Sequence, residues 1–181
     1  MNKNLEIETI IDDLKRNIRD VPDFPKKGII FKDIMPFLSN NVAFKKTIQY
    51  LAARYKNKNI SKVIGIEARG FIIAAPLALE IGAGFVAVRK KGKLPYKTIS
   101  VTYELEYGKD TLEIHEDAIE KGENVIIVDD VLATGGTAKA VCELVSKLNG
   151  NVFEILMLIE LEFLKGREKL KDYNLFSLIK Y

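Results

Sequence analysis

The stretch VIIVDDVLATGGTA (125–138) decides how the rest of this chain is read. It opens on Val125–Val128, apolar at every position, as in a strand covered on both faces. Two aspartates, Asp129 and Asp130, end the run, and Thr134, Gly135, Gly136 and Thr137 then open a helical pattern that continues to Leu148. A helix N-terminus presents free N–H groups and a partial positive charge, which suits a phosphate. Paired glycines let the backbone approach the anion, and threonine hydroxyls add donors. The stretch is neither a Walker A loop nor a dinucleotide fingerprint, because GxxxxGK[ST] and GxGxxG are both missing. Carboxylates ahead of a phosphate turn suit sugar hydroxyls, or a magnesium ion carried by a substrate. Taken singly, the acids read as solvated strand-end charges and Ala-Thr-Gly-Gly as a helix cap. In this order, after an all-apolar strand, they read as a binding site.

Outward from that strand lie three more apolar runs, Val63–Ile66, Phe85–Val88 and Val152–Leu161. Helical patterns occupy Phe71–Ile81 and Thr137–Leu148. Strands alternating with helices predict an α/β fold with a parallel sheet and right-handed crossovers. Ligands of such sheets bind at the carboxyl ends of the strands. Upstream, Leu5, Ile10, Ile11, Leu14 and Ile18 predict an amphipathic helix over 5–19, and Phe44, Ile48, Leu51, Ala52 and Tyr55 a second. VPDFPKKG (21–28) separates them with two prolines and a glycine.

One segment departs from the α/β rhythm. Val101, Tyr103, Leu105 and Tyr107 alternate with Thr102, Glu104 and Glu106; Gly108 then precedes a second alternating run with Leu112 and Ile114. That pattern is a β-hairpin inserted between two units of the sheet, after the basic stretch RKKGKLPYK (89–97). It reads as a lid over the site or as an arm reaching a second subunit.

The 181 residues suffice for one domain, and a 48% hydrophobic content predicts a packed core. A net charge of +3 suits an anionic small substrate and argues against nucleic acid. No apolar run reaches the ~20 residues of a membrane span. MNKNLEIETI carries acids and no apolar h-region, so it does not read as a signal peptide. The single cysteine, Cys142, sits among Val141, Leu144 and Val145 as a small buried residue. These features predict a cytoplasmic protein with no nucleic-acid or membrane partner.

The aspartate-rich turn closely resembles the phosphoribosyl-pyrophosphate signature of the type I phosphoribosyltransferases. Other stretches are similar to the adenine phosphoribosyltransferase family: FPKKGIIFKDI (24–34) to its adenine-binding hood, GIEARGF (65–71) to its pyrophosphate loop, and RKKGKLPYKTISVTYELEYGKDTLEIHEDA (89–118) to its catalytic flap. LKGREKL (164–170) and FSLIKY (176–181) also resemble that family, which commonly has a second proline where this chain has Lys27. The resemblance implies one domain over 1–181, with a hood at about 21–35 and a flap at about 89–115. It also implies transfer of the phosphoribosyl group to adenine in purine salvage, giving AMP and pyrophosphate, by a homodimer using Mg2+ that arrives with the substrate rather than in an all-protein site.

By the same resemblance Asp129 and Asp130 hold the ribose hydroxyls, and Ala133, Thr134, Gly135, Gly136 and Thr137 wrap the 5′-phosphate. Glu67, Ala68, Arg69, Gly70 and Arg89 take the pyrophosphate. Read from the residues alone, Glu67–Gly70 follows a strand and opens a helix, so it can form a second anion site facing the first. Lys91 and Lys93 read as solvated charge. Phe31 stacks on one face of the adenine with Val131 near the other, while Ile30 reads the base edge through its backbone with Lys32 nearby. Many 6-oxopurine enzymes carry an acid where this chain has Ala133. Alanine cannot exchange a proton, so the resemblance assigns the N7 proton to Glu106, with Tyr107 positioning the flap and Arg89 assisting catalysis. An alanine also occurs there in xanthine transferases, so Ala133 does not by itself fix the base. A non-catalytic sensor sharing the same turn would need a DNA-binding element, and 1–23 is too short for a winged helix. His115, the sole histidine, has no Asp or Ser partner in the sequence pattern and reads as structural or solvated.

Overall fold

The structure, a computed structural model, describes residues 3–104 and 108–181, with side chains described from residue 8 onward. The chain forms two compact units, Met1–Arg54 and Tyr55–Tyr181.

The first unit contains α1 (Lys3–Arg16), a hairpin of β1 (Arg19–Pro22) and β2 (Ile30–Asp33), then α2 (Met35–Ser39) and α3 (Asn41–Ala53). The helix expected over 5–19 stops at Arg16. Asn17 ends it by sending its backbone N–H to Leu14 O (3.0 Å) and its side-chain amide to Asp13 O (2.6 Å). The next residues extend instead, because they have a strand partner: Arg19 lies opposite Asp33 and Pro22 opposite Ile30. Ion pairs Arg19–Asp33 (2.6 Å) and Lys32–Asp20 (2.7 Å) tie the two strands together. Asn40 caps α3 by accepting from Ala43 N at 3.2 Å. Leu14, Ile34, Phe37 and Leu51 are fully buried.

The second unit is a seven-stranded sheet in the order β5-β6-β4-β3-β7-β8-β9. Its parallel strands are β3 (Lys62–Ile66), β4 (Gly84–Lys90), β7 (Asn124–Leu132), β8 (Asn151–Glu160) and β9 (Leu175–Lys180). The inserted hairpin, β5 (Thr98–Glu104) and β6 (Lys109–His115), joins it antiparallel beside β4. Helix α4 (Arg69–Ile81) follows β3, and α5 (Gly136–Lys147) follows β7.

The expected strands are present, β7 runs well past its apolar core, and β9 is an additional strand. β7 runs on through Leu132, so Asp129 and Asp130 lie within the strand rather than after it. The ladder to β8 continues, with Asp129 opposite Met157 and Val131 opposite Ile159, and this keeps the backbone extended past the acids. β9 occupies residues read from sequence only as an aromatic tail. Ile126, Ile127, Ile155 and Leu156 are fully buried, as are Val141, Leu144 and Val145 on α5. Cys142 lies among them at 1% exposure, where burial pushes its thiol up to about 12.

Candidate active site

The chain after β3 crosses to one side of the sheet and the chain after β7 to the other, because β4 and β8 lie on opposite flanks of the β3–β7 pair. This switch opens a crevice at the carboxyl ends of β3 and β7, where open α/β sheets hold ligands. The Glu67–Gly70 loop and the Ala133–Thr137 turn follow those two strands, so the sheet brings together the two anion-receptive segments expected from sequence.

Gly135 is the N-cap of α5, with φ +79°. The left-handed backbone there favours glycine, and a Cβ would also overlap the carbonyl oxygen of Gly166. Gly70 answers from the other side: a Cβ on it would stand 2.8 Å from Val128 O and 2.9 Å from Asp129 Oδ1. The first turn of α4 therefore abuts the end of β7 directly. Arg69, on the same turn, reaches across with Nε 2.7 Å from Asp130 Oδ2.

Asp130 is almost wholly buried, and Asp129 keeps part of its surface open. Desolvation, then the neighbouring Asp130 charge, pushes the Asp129 carboxyl well above the usual carboxylate range. Desolvation also raises Asp130, against the pull of Arg69. Asp129 Oδ1 accepts the Asp130 N–H at 2.9 Å.

On the other flank, Arg89 donates from Nη2 to Glu67 Oε1 (2.8 Å) and from Nη1 to Lys93 O (3.0 Å). Glu67 Oε2 accepts the Lys90 N–H at 3.2 Å. The Arg89 hydrogen bond holds the Glu67 carboxyl below its ordinary value. Among the described residues, the buried Arg89 Nε has no hydrogen-bond partner. Glu67 thus orients Arg89 as well as lining the loop, a role that sequence reasoning gave only as ligand. Ala68, joined to Glu67 by a cis peptide, is exposed.

The first strand of the inserted hairpin leans on the Ala133–Thr137 turn, with Tyr103 OH 3.2 Å from Thr137 Oγ1. The alternation at 101–103 hinted at an inward Tyr103, and its partner was not legible. Glu106 and Tyr107 lie outside the described residues. In the first unit, Ile30 is 55% exposed, Phe31 meets the Phe24 ring edge-on at 5.2 Å, and Lys32 pairs with Asp20. Val131 follows the two acids on β7. Among the described residues no group of three or more His, Cys, Asp or Glu could hold a metal ion.

The structure thus places two segments at helix N-termini after adjacent parallel strands, with Asp129 and Asp130 on the strand that leads into the second. A family model described as the phosphoribosyl transferase domain matches residues 38–180. An adenine phosphoribosyltransferase of Geobacter metallireducens is 57% identical over 171 residues, covering 94% of this chain and all of the relative. The solved adenine phosphoribosyltransferase of Thermoanaerobacter pseudethanolicus is 53% identical with a TM-score of 0.91, covering 94% of this chain and 99% of that one. That of Saccharomyces cerevisiae, complexed with an imino-altritol bisphosphate and adenine, is 44% identical with a TM-score of 0.90 and the same coverage. The chain belongs to the phosphoribosyl transferase family, and within it to the adenine phosphoribosyltransferases.

Proposed function

We propose that this chain transfers the 5-phosphoribosyl group of phosphoribosyl pyrophosphate to adenine, giving AMP and pyrophosphate in purine salvage. The observation that supports the reading is the pair of loops after β3 and β7, with Arg69 at the end of the first 2.7 Å from Asp130 on the strand that leads into the second. Ala133–Thr137 hold the 5′-phosphate through backbone N–H groups at the start of α5, and Asp129 and Asp130 take the ribose hydroxyls. Glu67–Gly70 and Arg89 hold the pyrophosphate; the buried Arg89 Nε is a donor suited to one of its oxygens.

The bond from C1′ to the pyrophosphate oxygen breaks with its electron pair leaving on pyrophosphate, and adenine N9 bonds to C1′. The transition state carries positive charge on the ribose, and Arg69 and Arg89 meet the negative charge growing on the leaving group. The N7 proton passes to Glu106, and Tyr107 helps place the flap. Closing the flap excludes water that would hydrolyse the activated sugar. Asp129 and Asp130 supply the hard oxygen donors that Mg2+ prefers, so they fit a magnesium ion arriving on the substrate. When bound, that ion neutralises pyrophosphate charge.

For the base, Phe31 offers an aromatic face on which a purine can stack, with Lys32 beside it on the same strand. Ile30 reads the edge through its backbone. Its strand partner Pro22 has no N–H to donate, which leaves the Ile30 carbonyl free of a donor from that residue.

The enzyme works in the cytoplasm as a homodimer. Apolar side chains left at the surface of α4 and β4 support a second copy: Ile72 is 39%, Leu79 84% and Phe85 42% exposed. The test of the function is pyrophosphate release from phosphoribosyl pyrophosphate with a panel of purines. Release with adenine is expected; none with any base would remove the reading.

A further inference from the structure

A backbone anion site works only when its N–H groups are held within about 0.5 Å of the productive geometry, and the groups that hold it are as necessary as those that touch the ligand. The Ala133–Thr137 turn is held by a segment that makes no part of the site described above. Lys165 sits in the left-handed region at φ +53°, between two short 3-10 turns, Glu162–Leu164 and Gly166–Leu170. That bend drives Gly166 against the phosphate turn. A Cβ on Gly166 would overlap Ala133 O and stand 3.0 Å from Gly135 N, and a Cβ on Gly135 would overlap Gly166 O. Two stretches of bare backbone thus touch.

The next residue, Arg167, fastens this contact. Its Nε and Nη2 donate to both oxygens of Glu160 at 2.9 and 2.6 Å, and its Nη1 donates to Leu175 O at 3.1 Å. Such bidentate pairs fix direction as well as distance. Glu160 is 3% exposed and lies opposite Leu132, the residue just before the phosphate turn. Leu161 N donates to Leu132 O at 3.0 Å, so the ladder continues to the edge of that turn. The Arg167 hydrogen bond holds the Glu160 carboxyl below its ordinary value.

We infer that Gly166 and Arg167 are positioning residues for the 5′-phosphate: Arg167, anchored on Glu160, presses the Gly166 backbone against Ala133 and Gly135 and so sets the aim of the phosphate-binding N–H groups. The inference rests on the reading of Ala133–Thr137 as the 5′-phosphate turn. It confines the effect to one end of the substrate, since the pyrophosphate loop hangs from β3 and β4.

The test is calorimetry on the full chain with two probes, ribose 5-phosphate for one end and pyrophosphate for the other, beside steady-state kinetics. Arg167→Ala is expected to weaken ribose 5-phosphate by about tenfold or more and pyrophosphate by less than about twofold, tenfold being about 1.4 kcal/mol. The KM for phosphoribosyl pyrophosphate rises with it, while the KM for adenine holds. Arg167→Lys keeps the charge on Glu160 and recovers most of the loss. Gly166→Ala, which leaves the ion pair intact, reproduces the selective loss and serves if Arg167→Ala does not fold. Unchanged ribose 5-phosphate affinity in the folded variants, or an equal fall for both probes, overturns the inference. Wild-type protein that fails to bind ribose 5-phosphate overturns the underlying assignment of the turn.

Discussion

Arg69 Nε stands 2.7 Å from Asp130 Oδ2, so an ion pair joins the loop after β3 to the strand that leads into the Ala133–Thr137 turn. In the proposed reaction, pyrophosphate competes with Asp130 for this guanidinium, and the ribose hydroxyls compete with Arg69 for the carboxylate. The two ends of the substrate therefore trade one internal ion pair for two external sets of contacts.

Replacing Gly135 with Val strikes the proposed phosphate turn at its tightest point. The left-handed φ of +79° is unfavourable for a β-branched residue, and the new Cβ overlaps Gly166 O. Affinity for phosphoribosyl pyrophosphate is expected to fall at least about tenfold, ~1.4 kcal/mol, by calorimetry on folded protein. Unchanged affinity would refute the assignment.

Asp129 sets function against stability. A carboxyl whose folded pKa is raised contributes stability below its unfolded value and loses it as pH rises through the folded one. Since Asp129 is raised well above 3.8, its ionisation costs stability at neutral pH. Asn keeps an oxygen to accept the Asp130 N–H. Asp129→Asn should melt higher than wild type at neutral pH, with the advantage fading as pH falls toward 3.8, and should bind ribose 5-phosphate more weakly. Thermal melts across pH measure this; a variant less stable at neutral pH contradicts it.

Glu106→Leu should reduce turnover by about 10²–10⁴-fold, the usual range for general acid–base groups, with phosphoribosyl-pyrophosphate binding nearly intact. Glu104→Leu is the control. Full activity in the first variant and none in the second would move the role to the other acid.

Base choice follows from hydrogen-bond polarity. Adenine offers an N1 acceptor and a 6-amino donor; hypoxanthine offers the reverse. Read by the fixed N–H and C=O of Ile30, hypoxanthine leaves two groups unpaired at ~1–3 kcal/mol each. That is a preference for adenine in kcat/KM of roughly 30-fold to 10⁴-fold. Comparable efficiency with hypoxanthine or xanthine would remove the adenine assignment and leave the phosphoribosyl transfer standing.

Leu79→Glu places a charge on the most exposed large apolar residue of α4, at 84% exposure. If copies of the chain pair through this face as proposed, sedimentation should show the variant as monomer where the wild type is a dimer. A variant that sediments as wild type shows that copies meet elsewhere.

What could be read before the structure divides along physical lines. The strands of the sheet announce themselves because Val125–Val128 and its neighbours must be apolar on both faces, and the turn at Gly135 because only certain residues fit there. The end of α1 was not legible, since Ile18 keeps the helical period while its neighbour Arg19 has a strand partner in Asp33, fourteen residues on. β9 was hidden because Leu175–Lys180, at the edge of the sheet, has no strict apolar–polar alternation to mark it. Within the site, the acids, glycines and Arg89 were all foreseeable as residue types. Their tertiary partners were not: Glu67 with Arg89 and Tyr103 with Thr137 are contacts that no local pattern encodes, and neither is the Arg167–Glu160 pair outside the site.

Cys142, buried at 1% exposure with its thiol pushed up to about 12, makes the wild-type chain nearly blank to maleimides and alkylating spin labels. It is also the single cysteine in the sequence. A cysteine placed at exposed Lys109, at the start of the flap's second strand, would therefore be the one position such a reagent marks. Fluorescence or paramagnetic readouts of the flap during turnover can be made in the native background, with no cysteine first removed from the core.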